Sequence, residues 1–474
     1  MKIHNIRLGF ATNSSSSHSI IYNPSVKPTD DYDEDFGWDF FTLSSKEAKD
    51  KYMASMLVEN LSRKDDFSQD LIRAILKGLN LIAADNFYED DSYSWKILID
   101  HQSVYHLPRD YGTKSISMEF FNDFRNYILK DNLFIVGGND NDEDRHSLCN
   151  NKDSVILDLN GYGPETGSWI CRKDGEWWVL FDENSGNRVI LSFEDNPKPF
   201  KPVTPMLIDF KISDYCPILC NYCYQGSTTN GKHIERENVR RILCDIEDAE
   251  VFEVALGGGE PTMCPEFLKI VGGLNYHGIK VNFTTKSMEW LENPIMVNKI
   301  MPLIGSFAFS ASNQYEIDRI VTILKYHNIN LNKFTVQLIP GACSNYAMES
   351  ILKKCYEHDI RVTLLGFKET GRGMEYKTKY SKSFDESNWM NVIKRVNAEH
   401  KCPLIAIDTT LASRYEKELK ESGIPEWLYH IQEGRYSAYI DGVQMKFGPS
   451  SYHLDKLIPY ENSIEEMFEK IEEV

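Results

Sequence analysis

Apolar residues recur along this chain in two rhythms. In the first third, "DLIRAILKGLNLI" sets Leu71, Ile72, Ile75, Leu76 and Leu79 on one side of a coil, and "MEFFNDFRNYIL" does so with Phe120, Phe121, Phe124 and Ile128. Steps of three and four residues are those of an amphipathic helix. The rhythm then turns to alternation: "SWICRKDGEWWVLFDENSGNRVILSF" reads as strand, turn at Asp174-Gly175, strand, turn at Ser185-Gly186, strand, a three-stranded meander. "NPKPFKPVTP" follows, with prolines at 197, 199, 202 and 205. Proline fixes φ and donates no N–H, so this stretch continues neither helix nor central strand and marks a domain boundary.

Beyond the boundary, short apolar runs alternate with helical patterns. MLIDFKI precedes a helix near 235–248, VFEVAL one near 265–276, KVNFTT one near 289–300, SFAFSAS one near 314–327 and FTVQLI one near 346–358, before RVTLLGF. Val239, Ile242, Leu243 and Ile246 form the stripe of a helix packed on a sheet. Six strands separated by helices imply an α/β fold with a parallel sheet and right-handed crossovers, whose functional groups gather at the C-terminal strand ends. In the last hundred residues "YSAYIDGVQMKF" alternates and turns at Asp441-Gly442, a hairpin, and "SIEEMFEKIEEV" reads as an acidic helix.

The length of 474 residues suits about two to four domains. We expect an N-terminal α+β domain over 1–200, a central α/β domain over 201–374 and a small mixed extension with the hairpin over 375–474. A net charge of -19 argues against a broad phosphate-binding surface, and so against nucleic acid as a partner. The opening MKIHNIRLGF has no apolar signal core and no later run approaches a membrane span, so a cytoplasmic protein without membrane contact is expected. In a reducing compartment ten cysteines are metal ligands, catalytic groups or core residues rather than a disulfide frame. Only Cys216, Cys220 and Cys223 cluster; Cys149, Cys171, Cys244, Cys264, Cys343, Cys355 and Cys402 read as packing residues.

The cluster, "CPILCNYCY", has C-x3-C-x2-C spacing directly after the first strand of the alternating series. Structural zinc takes four closed ligands, commonly as two separated pairs, and the nearest candidates for a fourth, His233 and Cys244, stand at no familiar spacing. An iron–sulfur cube is ordinarily held by four cysteines; three leave one iron open to an exogenous ligand, which is what catalysis requires.

With Tyr222 before its last cysteine, and "GGGEPT" (Gly258, Gly259, Glu260) after the second strand, the chain resembles the radical S-adenosylmethionine (radical SAM) superfamily over roughly 205–370. The resemblance implies a partial (β/α)6 TIM-like barrel, a [4Fe–4S] cluster on the three cysteines, and S-adenosylmethionine (SAM) chelated to the open iron. One electron, from a donor such as a flavodoxin or ferredoxin, would cleave SAM to a 5'-deoxyadenosyl radical that takes hydrogen from a substrate. It further implies that the Gly258–Glu260 strand end presents polar groups to the methionine ammonium and that Tyr222 lies near adenine. Ser310 and Ser312 would contact the SAM carboxylate or ribose, and Leu365-Gly366 would pass along the adenine. Thr284, Thr285 and Lys286 follow the third strand and read either as contacts or as ordinary strand-end residues.

"CNYCY" looks like the branch of peptide and protein maturases, which implies a peptide or protein substrate. The N-terminal segment bears a loose likeness to their leader-recognition domains and reads equally as a structural domain. "EGRYSAYIDGVQMKFGPSS" resembles the hairpin that such enzymes set beside auxiliary clusters, but has Ser450 and Ser451 and no cysteine, so a single cluster is expected. A radical SAM enzyme acting on a small metabolite or nucleotide, and a zinc-binding interaction protein, are the alternatives. "GFATNSSSSHSIIY" reads as a polar loop before a strand, and "GNDNDED" as an acidic turn, since it lacks the central glycine and final glutamate of a calcium loop.

Overall fold

The structure is a computed structural model, which describes residues 2–6, 16–22, 28–32, 36, 41–62, 69–79, 106–139, 155–158, 169–381, 384–399, 402–425 and 428–471. The chain forms two compact units, Met1–Phe200 and Lys201–Val474. Half of the serine-rich opening, 9–15, and most of the acidic turn, 140–144, lie outside the described residues.

Among the described residues the first unit contains two sheets. β1 (Lys2–Ile6), β4 (Arg109–Asp110), β7 (Trp169–Asp174), β8 (Trp177–Asp182) and β9 (Arg188–Ser192) pair in the order β1-β9-β8-β7-β4. β2 (Ser16–Tyr22), β3 (Phe41–Leu43), β5 (Leu133–Asn139) and β6 (Val155–Asp158) pair as β3-β5-β2-β6. β7, β8 and β9 are the meander, turned at Gly175 and Gly186, both at positive φ. The helices Gln69–Gly78 and Met118–Ile128 stand where the apolar stripes lie.

The second unit is built on one ten-stranded sheet of β10 (Leu207–Ser213), β11 (Glu253–Gly258), β12 (Lys280–Thr285), β13 (Ser306–Ser310), β14 (Phe334–Leu338), β15 (Arg361–Leu364), β16 (Ile405–Ile407), β17 (Ser437–Asp441), β18 (Lys446–Gly448) and β19 (Ile458–Pro459). Its order is β16-β15-β14-β13-β12-β11-β10-β17-β18-β19. Every pair from β16 to β17 is parallel and the last two are antiparallel. This long, mostly parallel sheet is that of a partial TIM barrel. It exceeds the six strands expected, because strands from 375–474 add to it at both edges. β16 joins one edge of the sheet, while β17 returns to the other edge beside β10 and carries the hairpin with it.

The strands alternate in character. Ile208, Phe210 and Ile212, Val254 and Leu256, Val281 and Phe283, Phe307 and Phe309, and Val336 and Leu338 share one core with the helices of that face. Successive residues of a strand point to opposite faces, so Asp209, Lys211, Glu253, Asn282, Ser306, Gln337 and Asp441 line the inner face. Asn282 Nδ2 donates to Glu253 Oε1 at 3.2 Å, and Ser306 N donates to Asn282 Oδ1 at 2.9 Å. Parallel strands buried on both faces read as continuous apolar runs; here the inner face is polar. Cys171, Cys264 and Cys355 are buried, whereas Cys244 is exposed: Val239, Ile242 and Ile246 face the sheet, and position 244 falls on the far side of that helix. Among the described residues no helix is long and apolar enough to cross a membrane.

One inner-face contact joins β10 to β17. Lys211 Nζ lies 3.0 Å from Asp441 Oδ2 and 2.6 Å from Asp214 Oδ1, and Asp441 Oδ1 accepts the amides of Val443 and Gln444 that turn the hairpin. Burial disfavours the Lys211 cation, but its hydrogen bond to Asp214 and the charge of Asp441 outweigh it and raise the pKa. A buried carboxylate stripped of its partner costs about 3–5 kcal/mol. Lys211→Met is therefore expected to lower stability by about that much at neutral pH in denaturant titrations. Because the folded-state pKa is raised, the contribution is complete below the lysine's unfolded value and is lost as pH rises through the folded one. The gap between wild type and variant should narrow in the alkaline range.

Candidate functional site

The three clustered cysteines lie on a loop that leaves β10 through an irregularity. Lys211 pairs with Gly257 but Ser213 pairs with Gly258, so one extra residue on β10 bends the strand as it ends. The loop has a closed neck: Cys216 N donates to Thr228 O at 2.9 Å and Asp214 N to Lys232 O at 2.7 Å. Between neck positions it runs as linked turns, with Leu219 and Gly226 at positive φ, Cys223 N donating to Cys220 O and Gly226 N to Cys223 O, each at 3.2 Å. This is an Ω-shaped loop.

All three thiols are half-buried. Burial pushes the Cys216 thiol up; the amides of Ile218 and Leu219 act against that, and the charges of Glu260 and Cys223 reinforce it. Cys216 and Cys223 thus lie in one another's field. Cys220 bonds to Tyr222, whose phenol is pushed above its ordinary range by burial and then by the Cys220 charge.

The glycine-rich end of β11 packs on the start of this loop. Gly259 N donates to Ser213 O at 2.6 Å and Glu260 N to Tyr215 O at 2.9 Å. A Cβ on Gly259 would run into Tyr215 O, and one on Gly258, whose φ is +109°, into Ser213 O. The close approach that requires glycine here is to the backbone entering the cysteine loop. Glu260 is buried, and its carboxylate is committed to protein donors. Oε1 accepts from Thr262 Oγ1 at 2.7 Å and Thr285 Oγ1 at 2.8 Å, and Oε2 from Lys286 N at 3.0 Å and Ser287 N at 3.2 Å. A carboxylate with donors on both oxygens ties the ends of β11 and β12 together.

Lys286 continues this chain of contacts along the rim, its Nζ reaching Ser310 O at 3.1 Å and Ser312 Oγ at 2.7 Å. Ser310 and Ser312 are thereby brought to the same strand-end edge as Glu260. Leu365 lies further round, its amide donating to Leu338 O at 2.8 Å, and Gly366 N donates to Asp408 Oδ1 at 2.8 Å. Cys343, half-buried after β14, lies in the field of Lys286 and of Tyr222; burial pushes its thiol up to about 11.

Sequence reasoning missed the wall beneath Tyr224. Lys368 Nζ sits between two rings, 5.0 Å from the centroid of Tyr224 and 4.9 Å from that of Tyr452, with Asp408 Oδ2 at 3.7 Å. Burial opposes the cation, but the surrounding tyrosines and acids hold its pKa above the usual value. Two carboxyls in the same field are shifted upward by burial: Asp209, to about 6, and Glu433, which accepts from Tyr452 OH at 3.2 Å. Ser451 of the C-terminal region shares a 3.1 Å hydrogen bond with Tyr224 OH, and it also bonds Asp209. No spacing in the sequence marks these residues, since they come from five separate stretches. Thr370 and Arg372, which bond carbonyls of the cysteine loop, were missed too; their one signal is the pair of glycines in "TGRG".

Among the described residues no three His, Cys, Asp or Glu side chains converge closely enough to hold a single metal ion. A tetrahedral zinc site needs that convergence. An iron–sulfur cube does not, since each thiolate binds a different iron. Arg372 Nη2 and Ser227 Oγ, both at this loop, are buried polar atoms without a protein partner. Three thiols flanked by orphaned donors fit a group that takes thiolate ligands and accepts hydrogen bonds on its sulfides.

Residues 210–295 match the family model of the Radical SAM superfamily. The mycofactocin maturase MftC of Mycobacterium tuberculosis is 27% identical over 86 residues, 18% of this chain and 22% of that protein. The PqqA peptide cyclase of Bradyrhizobium diazoefficiens is 24% identical over 86 residues, 18% of this chain and 23% of that protein. The match thus spans less than a quarter of the length of these curated relatives. Among solved structures, SuiB of Streptococcus suis bound to its precursor peptide SuiA aligns with a TM-score of 0.47 at 14% identity, covering 64% of this chain and 87% of that one. The matched segment runs from β10 through the cysteine loop and the Gly258–Glu260 strand end into the rim at Lys286, and over this segment the chain has the sequence of the radical SAM superfamily, whose cofactors are a [4Fe–4S] cluster and S-adenosylmethionine.

Proposed function

We propose that this enzyme modifies a side chain of a peptide or protein, with Cys216, Cys220 and Cys223 as the ligands of its single cluster. The observation that carries the reading is the placement of all three thiols on one Ω-shaped loop, bonded at its entry to the Gly258–Glu260 strand end. When bound, the cluster and SAM supply a carbon radical able to take hydrogen from an unactivated C–H bond. The chain's own residues hold and orient. The strand end fixes the loop entry, Glu260 and Lys286 join three strand ends into one rim for SAM, and the polar inner face offers hydrogen-bonding groups to a substrate. A peptide is favoured because the curated relatives matched are a maturase and a peptide cyclase. An electron donor such as a flavodoxin or ferredoxin completes the proposed set of partners.

Anaerobic reconstitution with iron and sulfide, followed by assay of 5'-deoxyadenosine with and without candidate peptides encoded beside the gene, tests this reading. Peptide-dependent formation of a product of altered mass is expected. SAM cleavage that responds to small metabolites and to no peptide would overturn the substrate class.

Cysteine-to-alanine replacement at 216, 220 or 223 should each abolish SAM cleavage, and the reconstituted wild type should carry about four irons per chain. Iron near eight, or cleavage retained by any single variant, would contradict the ligand set.

Glu260→Ala should act through the rim. It removes the acceptor of five hydrogen bonds, and a buried donor left unmade costs about 1–3 kcal/mol. We expect a loss of stability of about 3 kcal/mol or more, together with SAM binding weakened about ten- to a hundredfold, or roughly 1.4–2.8 kcal/mol. Thermal melts and equilibrium dialysis read the two effects. Weaker SAM binding with an unchanged melt would mean direct contact instead.

A further inference from the structure

The segment after β15 crosses the cysteine loop and takes four of its carbonyls. Thr370 Oγ1 donates to Tyr224 O at 3.2 Å, Arg372 N to Cys223 O at 3.0 Å, Arg372 Nε to Cys220 O at 2.9 Å, and Arg372 Nη1 to Ser227 O at 2.9 Å. Gly371, at φ +53°, lets the backbones approach: a Cβ there would run into Tyr224 O and Cys223 O. The crossing is flanked on one side by Lys368 over the Tyr224 ring and on the other by Tyr376, whose ring meets that of Tyr222 edge-on at 5.8 Å.

The three cysteines are not held alike. The carbonyls of Cys220 and Cys223 belong to this clamp, whereas Cys216 is bonded through its amide to Thr228 at the neck. The guanidinium has a further nitrogen, Nη2, that is buried and has no protein partner. Arginine stays charged at any pH a protein survives, and its planar fork engages several acceptors from one position.

We infer that Arg372 is a positioning residue for the cluster: it sets Cys220 and Cys223 against Cys216, and its fixed charge favours the reduced state of a cluster bound there. The inference rests on the proposed reading of the three cysteines as ligands. A cube carrying three thiolates is anionic and gains one more negative charge on accepting an electron, with no bond made or broken. A cation in half-buried surroundings lowers the energy of the more negative state by more than that of the less negative one. The cluster's potential therefore depends on this side chain, as potentials depend on charge and hydrogen bonding around the sulfurs.

The test uses the full chain as wild type, Arg372→Lys, Arg372→Gln, Arg372→Ala and Thr370→Val. In iron-free protein, N-ethylmaleimide labelling of each cysteine is followed by mass spectrometry. Loss of charge-assisted hydrogen bonds should let Cys220 and Cys223 of Arg372→Ala label about ten- to a hundredfold faster, with Cys216 near its wild-type rate as the internal control. In reconstituted protein, redox titration read by electron paramagnetic resonance should place Arg372→Gln below wild type in midpoint potential, with Arg372→Lys between them. Thr370→Val, which removes a bond and no charge, should leave the potential in place. Unchanged labelling in Arg372→Ala would overturn the positioning role, and an unchanged potential in Arg372→Gln would overturn the electrostatic one. If the wild type holds no cluster, the ligand reading fails while the labelling still decides the clamp.

Discussion

A backbone that forms neither helix nor sheet must satisfy its N–H and C=O groups elsewhere, or leave them unpaired where water is excluded. The cysteine loop is such a backbone: between its neck positions the successive turns at Cys223 and Gly226 are self-supplied. Its shape is imposed from three sides. The 228–234 strip closes the neck, the amides of Gly259 and Glu260 capture the entry, and Thr370 and Arg372 capture the carbonyls at its far end. The glycines at 258, 259 and 371 follow from this one requirement, because a Cβ at any of them would displace the backbone it has to touch.

The same logic extends along the rim. Glu260 gathers donors from the ends of two strands, and Lys286 carries the connection on to a third. A carboxylate used in this way is a fastener. Charge within the barrel is handled similarly. Lys211 is matched by Asp441 and Asp214, and Lys368 by two aromatic rings and nearby acids, so the polar inner face holds its ions without exposing the aliphatic core behind the strands.

The C-terminal region is an integral part of this arrangement. β17 pairs directly with β10, and Ser451 bonds the tyrosine next to Cys223. Where the resembling hairpins carry cysteines for auxiliary clusters, this chain has hydroxyls that bind Tyr224, Asp209 and His453. These hydroxyls make the position part of the wall beside the cysteine loop.

Local patterns carried far in this protein. The runs MLIDFKI, VFEVAL, KVNFTT, SFAFSAS, FTVQLI and RVTLLGF coincide with β10 to β15 to within a few residues, because a period of two against a period of 3.6 is written in neighbouring side chains. The cysteine spacing and the glycine-rich stretch were legible for the same reason: each lies within one short segment. What the sequence left open depends on residues far apart in the chain. β17 returning to β10, the carboxylate of Glu260 turning inward to Thr285 and Lys286, and Arg372 reaching Cys220 across 152 positions are set by how strand ends meet in three dimensions. Composition and periodicity determined that strands and helices would alternate and where the thiols would cluster. Tertiary packing alone decided which backbone carbonyls needed a partner and which distant side chain would supply it, because that choice depends on what buried neighbours leave unsatisfied.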